Sequence, residues 1–99
     1  MEFGELLREL RVKKKKSIKT MAIDIGLNYT YISKLENFKM NPSSKVINKI
    51  SKYFNYNSEE LLLLAGKLPK DIENILRNNP KEAAEYLRRK FGGARNKRK

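Results

Sequence analysis

Thr30, Ser33, Lys34 and Asn37 carry two hydroxyls, an ammonium and an amide, and they recur at helical spacing. On a helix of about 3.6 residues per turn they share one face, opposite Ile32 and Leu35. No carboxylate shares that face. Short donors of this kind suit the edges of bases in a DNA groove and the oxygens of phosphates. Lys34 can donate to guanine O6 or N7, and Thr30 can contact a thymine methyl or a phosphate. Tyr29 flanks the face in the first turn, at the tip of the helix. Tyr31 lies beside the inward side, where packing is the expected role.

Other chemistries find little material. The 99 residues contain no cysteine and no histidine, so disulfides, thiolate sites, the common zinc sites and the usual general base are missing. Carboxylate-only catalysis stays open in principle. The eleven acidic residues are spread thinly, however, and form no close pair beside a glycine turn. The expectation is a protein that is not an enzyme and needs no cofactor or metal.

Charge points to a polyanion. There are 23 basic residues against 11 acidic ones, a net charge of +12. Residues 1–67 and 68–99 each carry half of that excess. No apolar run approaches the ~20 residues that span a bilayer. The start, "MEFGELLREL", is acidic and amphipathic rather than a signal peptide. The chain therefore reads as cytoplasmic, with no membrane partner.

Helices must position these groups, because period-two alternation is absent and helical spacing runs throughout. Phe3, Leu6, Leu7 and Leu10 make a first stripe. Ser17 caps a second helix with Ile18, Met21, Ala22 and Ile25 inward and Gly26 at its stop. Ala22 and Gly26 are small residues expected where two helices approach closely. Asn28 caps a third helix, Tyr29 to about Asn37, and turns inward with Ile32. Pro42-Ser43-Ser44 restarts the chain into a fourth, about 44–54, with Val46, Ile47, Ile50 and Phe54 on one side. Asn57 and Glu60 form a capping-box pattern for a fifth, which carries Leu61, Leu62 and Leu64 and ends at Gly66. Pro69 opens a sixth. Asn79, Pro80 and Glu82 signal the start of a seventh, stopped by Gly92-Gly93. Helix, short turn with glycine, helix is the helix-turn-helix unit.

The segment from Ser17 to Pro42 resembles the Cro/C1-type (XRE-like) helix-turn-helix regulators. The matching residues are Ser17, Met21-Ala22, Gly26, Asn28, "YIS" at 31–33, Lys34, Leu35, "EN" at 36–37 and Asn41-Pro42-Ser43. The likeness extends over residues 3 to about 66, with "LRELR" at 7–11 resembling the family's first helix. It implies an all-α fold: a five-helix, lambda-repressor-like helix-turn-helix domain over 1–67, here followed by a C-terminal helical hairpin. It also implies that Tyr29, Thr30, Ser33 and Lys34 read bases in the major groove of double-stranded DNA. Ser17, Lys19, Asn37, Lys39 and Asn41 would then meet phosphates. Arg11 and Glu36 would lie close together as a structural pair. The family often has Gln where this chain has Ile18, an apolar residue where it has Lys16, and Gly where it has Phe38. The last departure predicts either a reshaped turn or a left-handed Asn37.

Residues 68–91 lie outside that unit, and Ile72, Ile75, Leu76, Leu87 and Phe91 need cover. Reading a palindrome requires two-fold symmetry. A homodimer formed through residues 61–91 is the expectation, with an intramolecular lid as the alternative. Residues 92–99 are expected to be a disordered basic tail. The reading is a repressor of transcription, bacterial or phage-encoded and nucleoid-associated. Alternatives are an antitoxin that grips a toxin protein through the hairpin and autoregulates its operon, and a non-specific nucleic-acid coat.

Overall fold

Apolar spacing, caps and stops set the helix ends one after another. The computed structural model describes residues 1–92, and helices are its only regular elements. The chain divides into two compact units, one over Met1–Lys67 and one beginning at Leu68. In the first unit α1 spans Phe3–Lys13, α2 Ile18–Ile25, α3 Tyr29–Glu36, α4 Ser44–Phe54 and α5 Ser58–Leu64.

Each start has a polar residue that satisfies a free backbone N–H. Ser17 accepts from Thr20, Asn28 from Thr30, Ser43 from Val46 and Asn57 from Glu60. Glu2 and Glu5 form a full capping box on α1 that the sequence reading did not pick out. At α5 only the Asn57 half of the expected box forms. The Glu60 carboxylate instead faces the Tyr56 hydroxyl and raises its pKa.

The stops are more uniform than the sequence reveals. All five helices end at a residue with positive φ: Lys15 (58°), Gly26 (73°), Phe38 (60°), Asn55 (54°) and Gly66 (78°). After α3, Lys39 N donates to Lys34 O and Phe38 N to Leu35 O, the paired bonds of a Schellman stop. Lys16 N to Arg11 O and Lys15 N to Val12 O repeat the pattern after α1. Of the two alternatives for the turn at Phe38, neither a reshaped turn nor a left-handed Asn37 occurs. Asn37 has φ −100°, and the phenylalanine itself takes the glycine conformation.

Leu7, Met21, Ile32, Leu35, Ile47, Ile50 and Leu61 are fully buried, and Pro42 joins them. Each large side chain removed from water contributes roughly 1.5–3 kcal/mol. α1 and α2 both pack on α3, and α4 packs on α5 and α2. Val46 and Phe54 are only partly buried. Asn28 is exposed rather than inward, because its side chain is held at the helix tip by its capping bond. Gly26 is needed for its backbone angle and not for a close approach, since a Cβ there would meet nothing within 4 Å. The close approach is at Gly4, where a Cβ would lie 2.6 Å from Leu35 O and from the Phe38 ring.

The second unit contains α6, Lys70–Asn78, and α7, Pro80–Leu87, followed by a π-helical turn over Arg88–Gly92. None of its described residues is buried. Ile75, Tyr86, Leu87 and Phe91 are exposed, and Ile75, Leu76, Ala83 and Leu87 border an apolar trough. Asn79 does not cap α7 through its side chain. Its amide donates back to Ile75 O, closing α6 instead. The expected stop at Gly93 and the tail "ARNKRK" lie outside the described residues.

Candidate nucleic-acid interface

The candidate interface lies on α3, and the core fixes which way that helix faces. Ile32 and Leu35 are 0% and 1% exposed, so α3 cannot rotate without emptying the core. A second constraint is polar. Arg11 Nε donates to Glu36 Oε2 at 2.6 Å and Nη2 to Oε1 at 3.0 Å, a bidentate fork between α1 and α3. Arg11 Nη1 also donates to Lys16 O at 2.9 Å, which pins the loop entering α2. The bond to Glu36 holds the Arg11 pKa above its usual value against the opposing effect of burial. Glu36 is thus the one carboxylate on α3, and it is buried in this pair rather than turned outward.

The opposite side of α3 is open. Tyr29, Thr30 and Lys34 are exposed, and Ser33 is half-buried. Tyr31 is half-buried and packs against the core, as its place beside the inward face implies. Lys19, Asn37, Lys39 and Asn41 are all exposed.

Two polar groups are partly committed already. Ser17 Oγ accepts from Thr20 N and donates to Thr20 Oγ1, both at 3.0 Å. What the start of α2 leaves for a phosphate is therefore its backbone N–H groups and helix dipole. Asn37 Nδ2 donates to Ser33 O at 2.9 Å, which leaves one of its two amide hydrogens for another acceptor. Arg11, Ser17, Ile18, Lys19 and Tyr29 line an open cleft of about 710 Å³ between the start of α2 and the tip of α3. Ile18 stands in that cleft where an amide would otherwise be available.

The lysine run at 13–16 is not one uniform patch. Lys16 Nζ lies 3.5 Å from Asp24, and Tyr53 Oη donates to the same carboxylate at 2.7 Å. Lys14 Nζ sits 5.4 Å from the centre of the Tyr53 ring, within cation–π range. Lys14 and Lys16 thus hold the loop to α2 and α4. The sequence reading missed this cluster, because Tyr53 and Asp24 are far apart along the chain and either looks like an ordinary surface residue.

A capped helix, a left-handed glycine turn and a second capped helix with an open polar face define a helix-turn-helix protein. The helix-turn-helix domain family model matches residues 4–67, and the chain belongs to that family, in its Cro/C1 (XRE) type, a class of DNA-binding domains. No curated protein and no solved structure matches the chain. None of the described helices is long and apolar enough to cross a membrane.

Proposed function

We propose that the protein is a sequence-specific transcriptional regulator that acts as a homodimeric repressor, placing α3 in the major groove of a palindromic operator. Tyr29, Thr30, Ser33 and Lys34 read bases in this arrangement. Ser17, Lys19, Asn37, Lys39 and Asn41 position the domain on the phosphates. It works in the cytoplasm on DNA and catalyses no reaction.

The observation that carries this reading is the division of α3. Its inner side is locked by Ile32, Leu35 and the Arg11–Glu36 fork. Its outer side offers exposed hydroxyl and ammonium groups with no competing carboxylate. A reader of base edges needs donors held rigidly, since each bidentate base contact discriminates by only about 1–3 kcal/mol and is lost if the helix rocks.

The exposed apolar side of the second unit supports a protein contact. A second copy meets the symmetry that a palindrome demands, and a toxin protein would compete for the same residues. Selection of bound sequences from a random duplex pool tests the whole reading. The expected product is a two-fold symmetric site with half-sites about 34 Å apart. Thr30→Ala combined with Lys34→Ala should abolish the preference while the helical signal stays intact. Recovery of no preferred sequence, or an unchanged preference in the double variant, would overturn it.

A further inference from the structure

α4 carries a feature that base reading does not use. Its sequence, "SKVINKISKYF", holds three lysines and no carboxylate, whereas each of the other four helices of the first unit contains at least one acidic residue. Ile47 and Ile50 are fully buried, which fixes the rotation of the helix. Lys45, Asn48, Lys49 and Lys52 are consequently all exposed on the outer side. Lys45, Lys49 and Lys52 recur at four and three residues, one above the next. None of the three has a salt-bridge partner among the described residues.

That arrangement works against the helix. Like charges at such spacings each weaken it by a few tenths of a kcal/mol, and an alternating pattern would support it. α6 shows the ordinary solution, with Glu73 paired to Arg77 one turn away. Along the chain the strip also follows closely on the residues already described. It begins four residues after Asn41, beyond the buried Pro42, and it ends beside Tyr53, whose ring lies under Lys14. Lys45 and Lys52 are about 10 Å apart along the axis at ~1.5 Å per residue. Duplex DNA presents one phosphate charge per ~1.7 Å of its axis. A row of free ammonium groups of this length matches a stretch of phosphate backbone.

We propose that the outer face of α4 is a second phosphate-binding strip, which engages the backbone of duplex DNA flanking the sequence read by α3. The inference rests on the DNA-binding reading above and adds a surface that reading does not require. The strip carries no sequence information. It lengthens the footprint and steepens the dependence of affinity on salt.

The test compares the wild-type chain with a Lys45→Gln, Lys49→Gln, Lys52→Gln variant. Both are titrated by fluorescence anisotropy at several salt concentrations against two duplexes. One contains only the selected site, and the other carries ten further base pairs on each side. On the long duplex the variant should lose at least tenfold in affinity at low salt. Its plot of log affinity against log salt should be shallower by about 2–3, since each phosphate contact contributes about 0.9. On the short duplex the two proteins should agree, and the thermal midpoint of the variant should be equal or higher.

Equal slopes on the long duplex would overturn the strip. An equal loss on both duplexes would overturn its assignment to flanking DNA. A loss of binding to anionic lipid vesicles, with duplex binding unchanged, would do the same. A wild-type chain that prefers no duplex at all defeats the DNA reading itself, and the strip with it. That result is distinguishable because it appears before any lysine is changed.

Discussion

Arg11 grips both carboxylate oxygens of Glu36, at 2.6 and 3.0 Å, across 25 residues of chain. Its third donor holds the carbonyl of Lys16. One guanidinium therefore ties together α1, the loop into α2, and the end of α3. The side chains of Arg11 and Glu36 are only 12% and 5% exposed, so the pair is shielded from most of the solvent.

Removing one partner strands the other. Glu36→Gln should lower unfolding stability by about 2–3 kcal/mol in urea titrations, through the loss of a charge-assisted bond to a partly buried cation. Operator affinity should fall as well, because α3 loses a polar anchor. A variant with wild-type stability and wild-type affinity would remove the pair from the account.

Phe38 supplies a test of backbone strain. Its φ of 60° is one a glycine adopts freely, and its ring lies against the bare Cα of Gly4. Phe38→Ala keeps the strain and loses the ring. Phe38→Gly loses both. The glycine variant should therefore be more stable than the alanine variant by roughly 1 kcal/mol in chemical denaturation. The same reasoning predicts that Lys15→Gly stabilises the protein by up to about 1 kcal/mol, since Lys15 has φ 58°. Identical stabilities for the two Phe38 variants would argue against strain at this turn.

Asp24 and Tyr53 give the fold a pH signature. The hydrogen bond from Tyr53, aided by Lys16, lowers the Asp24 pKa. That contribution to stability is present above the unfolded carboxyl value and is lost as pH falls through the lower folded one. Burial, followed by the bond to Asp24, pushes the Tyr53 pKa up to about 12. Its contribution is present below the ordinary phenol value of about 10 and fades as pH rises through about 12. Thermal midpoints of Tyr53→Phe should lie below wild type near neutral pH and converge with it at both extremes. Curves that run parallel throughout would contradict the coupling.

The second unit predicts an assembly. Ile75 and Leu87 are 54% and 43% exposed and border one apolar trough. Ile75→Glu with Leu87→Glu should convert a dimer to a monomer in sedimentation experiments. Affinity for a two-half-site operator should fall far more than affinity for a single half-site. A wild-type chain that sediments as a monomer at micromolar concentration would exclude the homodimer.

Much of the first unit was legible in the residues. Ser17, Asn28 and Asn57 announce helix starts because their side chains bond locally, to N–H groups two or three positions on. Gly26 and Gly66 announce stops because only glycine takes that angle without cost. The buried set Leu7, Met21, Ile32, Leu35, Ile47 and Ile50 follows from helical period alone.

What the sequence by itself determined was thus the order of the helices, the inner side of each helix of the first unit, and the open polar face of α3. Tertiary structure alone decided the rest. Lys15 and Phe38 end their helices in a glycine conformation that their residue types do not signal; at Phe38 the ring packs across α1. It also decided that Lys14 and Lys16 serve the loop while Lys45, Lys49 and Lys52 have no salt-bridge partner among the described residues. Local bonds are written in local residues. The partner of a long, flexible cation is fixed only when distant helices bring a carboxylate or a ring within reach.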